Sequence, residues 1–339
     1  MRDKVTIIDS TLRDGSHAIK HQFTKQDIVT YCKGAEAAGT EILVVGHGNG
    51  LGASSLQLGR SLLGDRAMLT AARKNLHKTR LGAFFIPGFG TIKNDLLPAI
   101  NTGIDVLFVA SHCTEANITR EHIEFAKGKN IEVFGVLMMS HMIEAKKLVQ
   151  QAELMQQYGV RGVILMDSAG ALLPDDVKKK VKSLVNNLNI DIGFHAHNNL
   201  GLAVINTITA IKSGAILADC TSRGLGAGAG NCQLEVLVAV LHKMKIETGL
   251  DLFKLIDNSE MIVSKIMQKP QEITALELVS GLAGVFSGFA PHAKKAAENF
   301  NVDVRQIIFE LGKRNVVAGQ EDIIIDVANF LKTHKNLQK

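Results

Sequence analysis

Along most of the chain, short apolar runs rich in β-branched residues alternate with stretches whose apolar positions recur at helical spacing. Val5 to Ser10 is the first such run and Lys25 to Ala38, stopped by Gly39, the first helical stretch, so the chain opens as strand, loop, helix. The unit then recurs. Glu41 to Val45 is followed by a helix from about Asp65 to His77, Leu81 to Ile86 by Ile92 to Asn101 across a Pro87-Gly88 turn, and Ile104 to Ala110 by Thr119 to Gly128. Glu132 to Met138 precedes Met142 to Tyr158, and Val160 to Met166 precedes Pro174 to Asn187. In the latter helix Pro174 suits the first turn, and Asp175 and Asp176 suit its positive end. The last units are Ile190 to Phe194 with Leu202 to Ser213, and Ile216 to Cys220 with Asn231 to Lys243.

Eight strand-helix units in about 245 residues is the count of an α/β (β/α)8 TIM barrel, whereas a doubly wound open sheet usually needs fewer. After Lys245 the strand signal fades. Leu250 to Ile266, Ala275 to Phe289, His292 to Asn299, Val304 to Leu311 and Glu321 to Lys332 read as helices. The expected organisation is a TIM-barrel catalytic domain over residues 1–248 and a C-terminal all-helical domain over 249–339.

Composition narrows the class. With 339 residues and 46% hydrophobic positions the chain can bury a large core. The net charge of +5 comes without a basic run or aromatic-basic interleaving, which argues against a nucleic acid partner. Cys32, Cys113, Cys220 and Cys232 show no paired spacing, as expected of reduced thiols in a cytoplasm. Met1-Arg2-Asp3-Lys4 leads directly into a strand and does not resemble a signal peptide. Ala275 to Pro291 is apolar but interrupted by Glu277 and shorter than the ~20 residues of a span, so no membrane association is expected.

The chemistry concentrates at strand ends. His195 and His197 close the seventh run with one residue between them, so on a strand they face the same way and can grip one metal ion. Asp14, in the loop after the first strand, offers a carboxylate. Two histidines and one carboxylate leave coordination positions open, as in a catalytic site. Strands one and seven flank strand eight in a closed barrel, which removes the sequence distance as an objection. Arg13 beside Asp14 is either a surface ion-pair residue or a planar cation placed for a developing enolate oxygen. His17, on the same loop, is either a solvated histidine or a base that titrates near working pH. Ser168, in Asp167-Ser168-Ala169-Gly170, suits a helix cap or a contact to a substrate carboxylate. Gly224 to Asn231 is either a flexible turn or an anion-binding loop; it comes at the end of the repeats, which fits a dinucleotide fingerprint poorly.

Four segments together, Asp9 to His17, Met166 to Gly170, His195 to Gly201 and Gly224 to Asn231, resemble the metal-dependent TIM-barrel lyases that include hydroxymethylglutaryl-CoA lyase and isopropylmalate synthase. Within that group the pattern is most similar to the 4-hydroxy-2-oxovalerate aldolases, nearly end to end and including Gly312 to Ala328 of the tail. The resemblance implies Asp14, His195 and His197 as ligands of a divalent metal, Mn2+ before Co2+ or Mg2+. It implies Arg13 as stabiliser of a pyruvate enolate, His17 as the base, and Ser168 and His195 as substrate contacts. The implied reaction is retro-aldol cleavage of a 4-hydroxy-2-oxo acid to pyruvate and a short aldehyde. An acylating acetaldehyde dehydrogenase, docked through the tail, is the implied partner, and an oligomer is compatible with the family. One position departs: the family tyrosine that reaches the substrate is Phe286 here, which keeps the ring and loses the hydroxyl. Two other readings remain open at this point, a related carbon–carbon lyase or acyl-CoA condensing enzyme, and a non-catalytic scaffold subunit.

Overall fold

β1 (Thr6–Asp9), β2 (Ile42–Val44), β3 (Arg80–Phe85), β4 (Val106–His112), β5 (Glu132–Met138), β6 (Gly162–Asp167), β7 (Asp191–Ala196) and β8 (Leu217–Cys220) pair in parallel and in chain order, and β8 closes on β1. The structure is a computed structural model describing residues 4–267, 269–317 and 319–337. Met1 to Asp3, which open the chain, and Ala318 in the tail lie outside the described residues. The helices α1 (Lys25–Ala38), α2 (Asp65–Arg73), α3 (Leu97–Asn101), α4 (Arg120–Gly128), α5 (Ala145–Tyr158), α6 (Pro174–Asn187), α7 (Ala203–Lys212) and α8 (Leu234–Lys243) each follow one strand. This is the expected TIM barrel followed by helices. No helix among the described residues is long and apolar enough to cross a membrane.

The period of two within each strand sorts side chains between two environments. Ile8, Ile42, Val44, Phe84, Val106, Phe108, Phe134, Val136, Ile164, Met166 and Leu217 fill the barrel interior, with Phe108 and Phe134 stacked at 5.4 Å. Two residues further along, the same inward rows become polar at Ser168, His195 and Asp219, so the C-terminal end of the interior is a buried polar layer.

Several boundaries differ from the expected ones, each for a local reason. β7 runs on to Ala196 because His195 pairs with Met166 and Asp219 of its neighbours, placing His195 within the sheet. The helix expected over Ala275–Phe289 stops at Ala283, where Gly284 takes φ +66 and caps α11 (Ala275–Ala283, numbered after the two helices below). Phe286 therefore lies in a loop ahead of a short turn at Ser287–Phe289. Leu250 to Ile266 divides into α9 (Leu252–Asn258), a π turn at Ser259–Val263 and α10 (Ser264–Ile266). Leu255 and Val263 of this stretch join the barrel's outer core. The remaining helices, α12 (Ala290–Phe300), α13 (Val304–Lys313) and α14 (Ile323–Leu337), share a second core with α11, built on Leu276, Phe289, Ile307, Ile308, Leu311, Ile324 and Val327.

A buried network fixes the loop after β1. The Tyr31 hydroxyl of α1 donates to Asp9 Oδ2 at 2.7 Å, the Thr11 hydroxyl and amide donate to Asp9 Oδ1 at 2.6 and 2.9 Å, and the Ser222 amide donates to Thr11 Oγ1 at 2.7 Å. Burial pushes the Asp9 carboxyl up to about 6 despite these donors. The folded chain thus holds this proton where the unfolded chain, near 4, has released it, so the Asp9 contribution to stability falls as pH rises from about 4 to about 6. Urea unfolding of Asp9→Asn against the parent should show the difference shifting in the variant's favour across that window, by up to about 3 kcal/mol. A pH-independent difference would overturn this account. Tyr31→Phe should cost about 1–3 kcal/mol in the same assay, since it removes a donor from a buried carboxyl group.

Candidate active site

Closure of the barrel sets β7, β8 and β1 side by side, and the loop after β1 turns inward at Arg13 and Asp14. Asp14, His195 and His197 are all buried, and one potential ligand atom from each lies within 4.8 Å of the others. His197 Nδ1 bonds to the Asp167 carbonyl at 3.0 Å, which makes Nδ1 the protonated nitrogen and turns Nε2 toward Asp14 Oδ2, 3.9 Å away. His195 Nδ1 approaches Asp219 Oδ2 at 3.0 Å but too bent for a hydrogen bond, and neither of its ring nitrogens has a hydrogen-bond partner among the described residues.

The electrostatics suit a cation. Burial alone would push the Asp14 carboxyl up, but Arg13, His197, His195 and His17 outweigh it and hold the group far below the usual carboxylate range. Burial lowers His197 to about 4, against the opposing pull of Asp14, so it is a neutral imidazole at neutral pH. An ionised carboxylate, a neutral imidazole and a second imidazole whose buried ring nitrogens lack partners form an N2O donor set. That set fits a divalent metal of the hard-to-borderline class.

Arg13 is 3% exposed and lies 4.3 Å above the Phe84 ring. Its Nη1 donates to Asp14 Oδ1 at 2.7 Å and to the Gly48 carbonyl at 3.3 Å, while Nε and Nη2 have no hydrogen-bond partner among the described residues, the Asp219 carboxylate lying 4.0 Å from Nη2. A buried guanidinium with two free donors is costly unless an anion arrives to use them. His17 is half-buried, and burial lowers its affinity for a proton; Asp14 and a hydrogen bond to the Gly48 backbone oppose that shift without cancelling it. A Cβ at position 48 would stand 2.3 Å from His17 Nε2, so a larger residue there would displace the His17 ring. Behind His17, the rings of His21 and His47 stack at 3.7 Å.

Ser168 is buried and its hydroxyl accepts the amide of Met139, a residue held at φ +54, so one role of Ser168 is to pin the loop after β5. Its own proton remains free to donate. Phe286 is half-buried on the tail loop, edge-on to Phe289 at 6.2 Å. Neither tyrosine stands in for the missing hydroxyl: Tyr31 serves Asp9 and Thr11, and Tyr158 lies 5.8 Å from the Arg120 guanidinium. The glycine-rich loop does more than turn the chain, because Asn231 at its end donates from Nδ2 to Asp14 Oδ2 in a short contact. Sequence spacing does not mark Asn231 or Asp219 as neighbours of the triad. An acidic residue in the apolar run Leu217-Ala218-Asp219-Cys220 was the available signal for Asp219.

Asp14→Ala and His195→Ala should abolish tight Mn2+ binding measured by calorimetry while leaving the circular dichroism of the barrel intact. Asn231→Ala, which removes only an outer partner of the carboxylate, should weaken that binding by roughly 10–100-fold. Parent-like affinity in all three variants would exclude this triad as the ion's site.

Comparison with known proteins identifies the family. Residues 4–262 match the HMGL-like family and residues 271–333 the DmpG-like communication domain. The 4-hydroxy-2-oxovalerate aldolase of Pectobacterium atrosepticum is 50% identical over 98% of this chain and 96% of its own length, and that of Spirochaeta aurantia is 50% identical over 99% and 98%. 4-Hydroxy-2-oxovalerate aldolase 2 of Salinispora arenicola is 51% identical over 98% and 95%. Among solved structures, the carboxyl transferase domain of Rhizobium etli pyruvate carboxylase superposes with a TM-score of 0.80 at 16% identity, covering 98% of this chain and 61% of that one, a likeness of fold. With the barrel, the buried triad and full-length identity near one half in agreement, the chain belongs to the HMGL-like family and, within it, to the 4-hydroxy-2-oxovalerate aldolase group.

Proposed function

We propose that this protein cleaves 4-hydroxy-2-oxovalerate, or a close 4-hydroxy-2-oxo acid, to pyruvate and a short aldehyde, with Mn2+ as its preferred ion. The observation that carries the reading is the buried Arg13 guanidinium, with Nε and Nη2 free, next to a carboxylate and two histidines suited to a divalent ion. Held by Asp14, His195 and His197, that ion would supply Lewis acidity to the oxygens of the 2-oxo acid.

The chain's own groups account for the remaining steps. Arg13 turns its free donors toward the oxygen that becomes negative as the C3–C4 bond breaks, where a buried donor is worth most. His17, kept neutral by burial, takes the proton of the C4 hydroxyl directly or through water. The C3–C4 electron pair moves onto the pyruvate fragment as its enolate, the aldehyde leaves, and protonation at C3 completes pyruvate. Ser168 donates its hydroxyl proton to the substrate carboxylate while still accepting from Met139, and His195 flanks the same substrate. Phe286 offers an apolar ring to the C4 substituent, without the hydrogen bond that a tyrosine would add. The tail's match to a DmpG-like communication domain supports an acylating acetaldehyde dehydrogenase as the acceptor of the aldehyde.

Racemic 4-hydroxy-2-oxovalerate with Mn2+, coupled to lactate dehydrogenase, should report pyruvate release that is absent in His195→Ala. No release above that control from any of several 4-hydroxy-2-oxo acids would reject the assignment. Arg13→Lys keeps the charge that balances Asp14 but loses the planar fork, and should lower kcat by about 10²-fold without altering Mn2+ affinity. Phe286→Tyr should change the rate or the preference between C4 enantiomers; identical kinetics on both would show the missing hydroxyl to be neutral.

A further inference from the structure

Asn199, two residues beyond His197, is fully buried and its amide has every partner it can use in this setting. Nδ2 donates to the Ala169 carbonyl at 2.9 Å and to Ser287 Oγ at 2.9 Å, and Oδ1 accepts from the Ala229 amide at 3.0 Å. These partners come from three separate segments. Ala169 follows Ser168 at the end of β6, Ala229 lies two residues ahead of Asn231, which holds Asp14, and Ser287 follows Phe286 in the tail. One side chain thus registers both barrel loops of the site and the tail segment against one another. The junction is tight: a Cβ at Gly228 would stand 2.6 Å from Ser287 Oγ and 2.7 Å from Asn199 Oδ1. A second stitch, His141 Nε2 to the Gly284 carbonyl at 2.9 Å, holds the start of the same tail loop.

We propose that Asn199 is a positioning residue, and that its bond to Ser287 sets the place of Phe286 and with it the discrimination among aldehyde-side substituents at C4. The two bonds from Asn199 into the barrel hold the enolate half of the site; the single bond to Ser287 holds the aldehyde half. The bond to Ser287 is the only one of the three that leaves the barrel, so its loss loosens the Phe286 segment, still tethered at Gly284 by His141, without touching Asp14, His195 or His197. This inference rests on the aldolase reading above, and the two halves of that reaction can be measured separately.

The experiment compares the parent protein, Ser287→Ala and Ser287→Thr, each loaded with Mn2+. Cleavage of the two C4 enantiomers of 4-hydroxy-2-oxovalerate is measured alongside exchange of pyruvate C3 protons with solvent deuterium, which opens the reverse reaction. Ser287→Ala should shift the enantiomer ratio of kcat/KM by about fivefold, the weight of one hydrogen bond. Exchange should stay within about twofold of the parent, and Ser287→Thr, which keeps the hydroxyl, should restore the parent ratio. An unchanged ratio in an active Ser287→Ala, or exchange and cleavage falling together, or failure of Ser287→Thr to restore the ratio, would overturn the proposal while leaving the aldolase reading in place. Absence of cleavage by the parent protein itself would overturn both.

Discussion

The buried pair of Arg13 and Asp14, 2.7 Å apart and each about 4% exposed, is the interaction on which the mouth of this barrel depends. Either charge alone at that depth would carry a desolvation cost of several kcal/mol, so neither residue can be read apart from the other. The surroundings spread the compensation. Phe84 lies under the guanidinium, the Gly48 carbonyl takes a second bond from it, and the Asn231 amide caps the far oxygen of the carboxylate. The pair nevertheless stays incomplete on one side: among the described residues two guanidinium donors and both His195 ring nitrogens lack a hydrogen-bond partner, with only the Asp219 carboxylate nearby. A region that leaves buried polar groups of both signs unsatisfied is prepared for a cation and an anion together.

The rest of the barrel explains how such a layer is tolerated. Below it the inward rows are aliphatic and aromatic, packed from Ile8 and Leu217 through the Phe108 and Phe134 stack, and this floor supplies stability without contributing chemistry. Around the rim, short loops are held by bonds from buried side chains: Asp9 with Tyr31 and Thr11, Ser168 with Met139, Asn199 with Ala169 and Ala229. The functional groups are therefore anchored to strand ends, where small displacements are resisted by the sheet behind them.

The tail completes the face at which this chemistry is placed. Its own core makes it a packed unit, and it meets the barrel at specific points, Gly284 on His141 and Ser287 on Asn199. Phe286 rides on the stretch between those two points. Phe286 thus falls where tail and barrel are joined, away from the ends of β1 and β7, where Asp14, His195 and His197 gather.

The repeat of apolar strands and helices determined the barrel and the helical tail from the sequence alone, because both rest on short-range periodicities of two and 3.6. The spacing of His195 and His197 likewise determined that both would face the same way. Tertiary structure decided the rest. Asp219 and Asn231 became partners of the triad only when β8 closed against β1 and the glycine-rich loop folded back over Asp14, contacts that span more than two hundred positions in the case of Asn231. Gly284 ended a helix that apolar periodicity alone extended to Phe289, and that one backbone turn moved Phe286 from a helix face into a loop beside the barrel. Local pattern reports which way a side chain points from its own backbone; which groups it meets there is set by the closing of the sheet and the docking of the tail.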